Sequence, residues 1–248
     1  MRFAVITDIH GNYPALKAVL KEMDNKEDID HIYCLGDMIA IGPDTNEVLE
    51  LLFGRNDISM ITGNHEEAVL ALIEDANYPK SHEVVKEHHQ WIADRMDSTY
   101  IDKLKQLPRF ISKEIGGISI CFTHYAIRSD VPISEDPFET IVDPNLENME
   151  LLFKNYEAEL VCFGHHHPLH YFKGSQNTYL NPGSLGCTWG EPAAPYAIVT
   201  VENKNIDIQL KKATYDNKDF LSSYEVLQVP EREFILNAFH GMKKGHIP

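Results

Sequence analysis

The chain has little with which to meet a polyanion or a bilayer. Only 22 of its 248 residues are Lys or Arg, against 38 Asp or Glu, a formal net charge of -16. That balance argues against an extended nucleic acid lying across the surface. It leaves room for a small phosphorylated molecule held at a local cluster of cations. No apolar stretch approaches the roughly 18 residues of a membrane span. No signal peptide is visible, because Arg2 is followed by only Phe3 to Ile6 before polar Thr7 and charged Asp8. The four cysteines, Cys34, Cys121, Cys162 and Cys187, form no C-x-x-C pair, and the first three lie inside strand-like runs. Buried thiols in a reducing compartment are implied, so a soluble cytoplasmic protein is expected. Low-complexity segments are absent too.

What the chain does have is one device used five times. Phe3 to Ile6 is apolar and β-rich, suited to a strand buried on both faces, and it stops at Asp8 and His10. His31 to Leu35 ends in Gly36-Asp37, Ile58 to Ile61 in Thr62-Gly63-Asn64-His65, Ile118 to Phe122 in Thr123-His124, and Leu160 to Phe163 in Gly164-His165-His166-His167. A sheet built only for packing has no reason to set ligand-type side chains at successive strand ends, where each costs desolvation if buried alone. Ligands gather at the carboxyl ends of strands in open α/β sheets. Gly36, Gly63 and Gly164 each precede the polar residue and permit positive φ or a close backbone approach.

Strand and helix alternate early. Leu16, Val19, Leu20 and Met23 form one helical face after Pro14, and Val48, Leu51 and Leu52 another. Alternation predicts parallel pairing with right-handed crossovers, an α/β fold. Residues of about 66–107 read as helical, broken at Asn77-Tyr78-Pro79, an insert near the site mouth in which His88 and His89 read as solvated helix histidines or as substrate contacts. Tyr196 to Val201 and Ile206 to Leu210 read as an antiparallel hairpin, and a last helix is expected over about 230–241. Because the ligand-type residues must converge, residues 1–248 are expected to form one domain.

Asp8, His10, Asp37, Asn64, His124, His165 and His167 make seven ligand-type residues, too many for one tetrahedral ion. They suit two ions, with Asp37 as the bridge because a carboxylate has two oxygens. Imidazole and carboxylate without thiolate suit divalent Mn, Fe, Zn, Co or Ni. Two such ions about 3.5–4 Å apart clamp the attacking and leaving oxygens of a phosphoryl displacement, and hydroxide generated from water near neutral pH supplies the nucleophile.

In this order D-x-H, G-D, G-N-H-E, T-H and G-H-x-H resemble the calcineurin-like metallophosphoesterases, and D-I-H-G-N, G-D-x-x-x-x-G-P and N-P-G-S resemble their small bacterial and archaeal branch. The resemblance covers residues 1 to about 215. It implies a four-layer αββα sandwich, two packed mixed sheets flanked by helices. It implies one ion on Asp8, His10, Asp37 and His167 and the other on Asp37, Asn64, His124 and His165. It implies His65 beside the substrate as proton donor or transition-state stabiliser; adjacent side chains diverge in an extended segment, so His65 can face substrate while Asn64 faces metal. Asn12 either touches substrate or serves the turn. His166 is expected to point away, and His170 either supports the site or is unrelated to it. The expected activity is hydrolysis of a small phosphorylated substrate, a phosphodiester first. The alternatives are a protein serine/threonine phosphatase, a dinucleoside-polyphosphate hydrolase or, in another class, a non-catalytic scaffold.

Overall fold

The computed structural model describes residues 1–128, 131 and 137–242. A strand that is apolar on both faces needs cover on both, and β1 (Arg2–Ile6) has it. Its odd residues Phe3 and Val5 pack inward between two sheets, while Ala4 and Ile6 pack outward beneath α1 (Tyr13–Lys26), against Leu16, Val19 and Leu20. β1 is the centre of a five-stranded sheet. It pairs in parallel with β2 (His31–Cys34), which pairs in parallel with β3 (Ile58–Met60). On the other side it pairs antiparallel with a long hairpin, β9 (Ala193–Glu202) and β10 (Asn205–Thr214). The two hairpin-turn residues, Asn203 and Lys204, have φ of 50° and 61°, the left-handed pair that a tight hairpin requires.

The second sheet has the order β4 (Phe110–Ile115), β5 (Ile118–Thr123), β6 (Leu160–Cys162), β8 (Thr178–Asn181), β7 (His170–Lys173). Here β5, β6 and β8 are parallel and both edges antiparallel. Ile118, Ile120 and Phe122 face the first sheet, where Phe122 stacks on Tyr33 at 3.7 Å between ring centres. Cys121, Val161 and Tyr179 face out beneath α6 (Leu146–Leu152). The result is two mixed sheets with helices on both outer faces, the α/β sandwich expected.

Register aligns the strand ends. Ile6 lies level with Cys34, and Cys34 with Met60; in the other sheet Phe122 lies level with Cys162. The strands therefore end together, and the segments that leave them converge along one rim.

The helical insert expected over about 66–107, with its break at Asn77-Tyr78-Pro79, is more interrupted than its periodicity indicates. α3 (Asn64–Ile73) starts two residues earlier than expected and ends before Asp75, whose φ is 53°, while Pro79 opens the next turn. A 3₁₀ turn over Lys80–Val85 leads into α4 (Lys86–Ala93), and a short α5 (Ile101–Lys105) follows. Beyond the hairpin lie α7 (Lys218–Val226), absent from the sequence reading, and α8 (Arg232–His240), close to where it was expected. They pack on Ile41 and Cys187 beside the rim.

Candidate metal centre

After each strand the backbone turns sharply toward the rim. Asp8, His10, Asp37 and His165 have φ of 52°, 50°, 50° and 65°. Non-glycine residues seldom adopt this conformation, and such strain collects at functional sites. Hydrogen bonds hold the turns against one another. The Asp8 amide donates to the Gly36 carbonyl at 3.1 Å, the His10 amide to the Asp37 carbonyl at 2.9 Å, and the His165 amide to Asp8 Oδ2 at 3.0 Å. The three glycines divide the two tasks: Gly36 takes φ of +87°, whereas Gly63 and Gly164 permit close approach, to Asp37 and to Thr7 with Asp8.

All seven predicted ligand residues meet here. On one side Asp8 Oδ1 is buried without a hydrogen-bond partner among the described residues, 3.6 Å from His10 Nε2 and 3.8 Å from His167 Nε2. His10 Nε2 and His167 Nε2 face each other at 3.0 Å. On the other side His124 Nε2 lies 3.1 Å from Asp37 Oδ2 and 2.9 Å from Asn64 Oδ1, which is also 2.7 Å from His165 Nδ1. Asp37 stands between the two sides, with Oδ2 also 4.0 Å from His10 Nε2.

The far nitrogens of two rings explain why lone pairs face inward. His124 Nδ1–H donates to the Leu35 carbonyl at 2.7 Å, and His10 Nδ1–H to the Ile39 carbonyl at 3.4 Å. A carbonyl only accepts, so each ring keeps a hydrogen on Nδ1 and, in the neutral form that binds a cation, turns a bare Nε2 to the centre, the arrangement typical of metal-ligating histidines. The orphan oxygen of Asp8, facing the Nε2 atoms of His10 and His167, is the donor set that a divalent cation satisfies, and the residues fit one.

Charge tells the same story. Burial opposes ionisation of Asp37, yet the imidazoles of His124 and His65 hold its carboxyl well below the usual carboxylate range. Burial likewise opposes charge on His124, but Asp37 outweighs it and pushes the ring up to about 10. Burial and neighbouring imidazoles push His165 down to about 3 and His167 down to about 4. The buried carboxylates thus draw positive charge into the centre, and a bound cation would replace the protons that supply it.

His65 stands beside the centre, with Nε2 4.0 Å from Asp37 Oδ2 and its amide donating to Asp37 Oδ1 at 2.9 Å. Asn64 and His65 lie in the first turn of α3 rather than on an extended segment; their side chains diverge through helical rotation instead. Of the two readings of Asn12, the structure has the turn. Its Oδ1 caps α1 by accepting from the Ala15 amide at 3.1 Å, and its Nδ2 donates to the Gly186 carbonyl and Tyr215 Oη.

His88 and His89 are buried, not solvated, because that face of α4 packs inward with Ile92. His88 stacks on Trp91, and burial pushes it down to about 4; His89 bonds to His65 at 2.8 Å. His166 is half-buried and edge-on to His170 at 4.7 Å.

Several contributors escaped the sequence reading. Glu66 is fully buried and accepts four backbone amides, from Asp37, Met38, Ile39 and Gly63, so it ties the second strand end to the third. Its signal was present as the last letter of G-N-H-E. Asn181 and Ser184 of N-P-G-S also read as more than a turn: Asn181 Nδ2 donates to the His166 carbonyl at 2.6 Å, and Ser184 Oγ to the Asp8 carbonyl at 2.8 Å. The buried Cys187 thiol lies within 4.8 Å of ring nitrogens of His10 and His167.

Residues 1–204 match the sequence profile of the calcineurin-like phosphoesterase superfamily domain. The chain belongs to this superfamily. A protein of Methanocaldococcus jannaschii, named only as uncharacterised, is 29% identical over 238 residues, covering 92% of this chain and 93% of its own. A symmetrical bis(5'-nucleosyl)-tetraphosphatase of Buchnera aphidicola is 26% identical over 104 residues, 42% of this chain but only 32% of that enzyme. Among solved structures, a metallophosphoesterase from Sphaerobacter thermophilus superposes with a TM-score of 0.73 over 98% of this chain and 100% of its own, at 23% identity. That likeness carries the fold: the same calcineurin-like sandwich. Membership makes the chain a phosphoric ester hydrolase of a family that uses divalent metal ions. No helix among the described residues is long and apolar enough to cross a membrane.

Proposed function

We propose that the protein binds two divalent transition-metal ions and hydrolyses a small phosphodiester. Asp8, His10, Asp37 and His167 hold one ion; Asp37, Asn64, His124 and His165 hold the other. The observation that carries the reading is the position of Asp37, whose carboxylate belongs both to a cluster with His10 and His65 and to one with His124 and His165. When bound, the ions supply Lewis-acid stabilisation of the phosphoryl oxygens and a low-pKa water as nucleophile. His65, on the substrate side, delivers a proton to the leaving oxygen. Beside Asn64 and His165 a cavity of about 380 Å³ is walled by Pro79, Pro137, Phe138 and Ile141 and takes the organic part of the substrate. The similarity to a bis(5'-nucleosyl)-tetraphosphatase supports a small phosphorylated substrate. We place the protein in the cytoplasm, on the support of four buried, unpaired thiols.

The test joins elemental analysis to turnover. About two transition-metal ions per chain are expected, and chelation should abolish hydrolysis of a chromogenic diester, with Mn, Fe, Zn, Co and Ni restored singly to rank them. A panel of diesters, monoesters and dinucleoside tetraphosphates then ranks substrates. Metal-free protein with chelator-resistant turnover would sink the reading.

A further inference from the structure

The segment 77–93 touches two of the proposed site residues, and its Ser81 and His82 line the 380 Å³ cavity beside Asn64. Tyr78 Oη donates to the His82 carbonyl at 3.0 Å and also meets His89 Nδ1 at 2.7 Å. His89 Nε2 meets His65 Nδ1 at 2.8 Å. Separately, Asn64 Nδ2 meets His82 Nε2 at 2.9 Å, and His82 Nδ1 meets Ser81 Oγ at 2.8 Å.

Counting protons gives this wiring a direction. The Tyr78 hydroxyl has one hydrogen, and the His82 carbonyl can only accept it. The Tyr78 oxygen is then an acceptor for His89 Nδ1–H, which leaves His89 Nε2 bare to accept from His65 Nδ1–H. His65 in turn presents Nε2, not Nδ1–H, to the centre, so the proton it passes to a leaving oxygen is one taken up on Nε2 while Nδ1–H stays bonded to His89. The opposite register would turn the Tyr78 hydrogen onto His89 and leave the His82 carbonyl without it, one hydrogen bond fewer. The second contact acts in the same way. An amide NH₂ only donates, so His82 Nε2 accepts and His82 Nδ1–H donates to Ser81. The Asn64 amide is thereby held with Oδ1 toward His124 and His165.

We propose that Tyr78, His82 and His89 are positioning residues: one short segment sets which nitrogen His65 turns to the substrate and which way the Asn64 amide faces. Aligned ring nitrogens and a committed amide oxygen remove the two ambiguities, tautomer and flip, that histidine and asparagine otherwise carry into a site. The inference rests on the roles proposed above for Asn64 and His65.

Zinc-loaded protein with ¹⁵N-labelled histidine tests it. The His65 signal, assigned by its loss in His65→Ala, should report a proton on Nδ1, and His89→Leu should abolish that preference. A wild-type signal with the proton on Nε2 overturns the proposal. In kinetics, His89→Leu and Tyr78→Phe should lower kcat with KM and metal content unchanged, and His89→Gln, which keeps an acceptor near the position of Nε2, should recover much of the rate. His82→Ala should weaken one of the two metal sites about 10–100-fold, with recovery in His82→Gln. If His89→Leu folds, binds both metals and turns over as wild type while His65→Ala does not, the positioning role fails and the catalytic reading stands. If His65→Ala is itself as active as wild type, the catalytic reading fails first.

Discussion

His170 opens β7 and is 1% exposed, edge-on to Phe163 and Phe172, and among the described residues neither ring nitrogen meets a hydrogen-bond partner. Burial, with His166 alongside, pushes its pKa down to about 4. The unfolded chain takes a proton on this residue below about 6.5 that the folded chain refuses until about 4. Stability therefore rises with pH between those values and is flat above them. Between pH 8 and pH 5 the penalty amounts to about 2 kcal/mol, at roughly 1.4 kcal/mol per pH unit. His170→Phe keeps an aromatic ring in an aromatic site and removes the titrating group. The variant should unfold at higher urea than the parent at pH 5 and show a smaller difference at pH 8. An unchanged pH 5 midpoint would mean that His170 has a partner that stabilises it.

At the scale of the element, the strand-end turn depends on absent side chains as much as on ligands. A Cβ on Gly164 would run into Thr7 Oγ1 and Asp8 Oδ2, the pair that orients Asp8 through a 2.7 Å hydrogen bond. Gly164→Ala should therefore leave circular dichroism unchanged while weakening metal binding about 10–100-fold, the range for losing a partner that orients a ligand. Calorimetry decides it; wild-type affinity would mean that the turn relaxes freely. Such turns were readable in the sequence because β-rich runs ended in Gly plus a ligand residue, and the same pattern located β1, β2, β3, β5 and β6. Other elements gave weaker signals. β4 and β7 are the edge strands of their sheet: Phe110 of β4 is exposed and its alternation is blurred by Lys113 and Glu114, and in β7 Tyr171 is exposed. α7 carries two serines and becomes helical against α8, Ile41 and Cys187, a tertiary contact that no local pattern announces. The insert deceived for the opposite reason: after its proline Val84 and Val85 read as a helix resumed, whereas they close a 3₁₀ turn. For the same reason the ligands could be read as motif letters, whereas His82 and His89 could not. Their contacts exist only once that broken segment folds back on α3.

For the whole molecule, a charge of -16 surrounds a rim built to attract cations. Two dications would leave most of that charge uncompensated, and at about 0.1 M salt it is felt only within roughly 10 Å. A small diester carries one negative charge and meets chiefly the ions and the 380 Å³ cavity. A long single strand must also lay neighbouring phosphates along acidic surface, so repulsion grows with each added nucleotide. Raising salt screens that repulsion. The expected signature is therefore a kcat/KM for a small diester that changes little between 20 and 200 mM NaCl, and one for a 20-nucleotide strand that starts far lower and rises. A protein adapted to grip nucleic acid behaves in the opposite sense, since added salt competes with its phosphate contacts and binding falls steeply. Initial rates on both substrates across one salt series separate the cases. Cleavage of the long strand that matches the small diester at low salt and declines as salt is added would show a polynucleotide track on this surface, and the small-substrate reading would have to be abandoned.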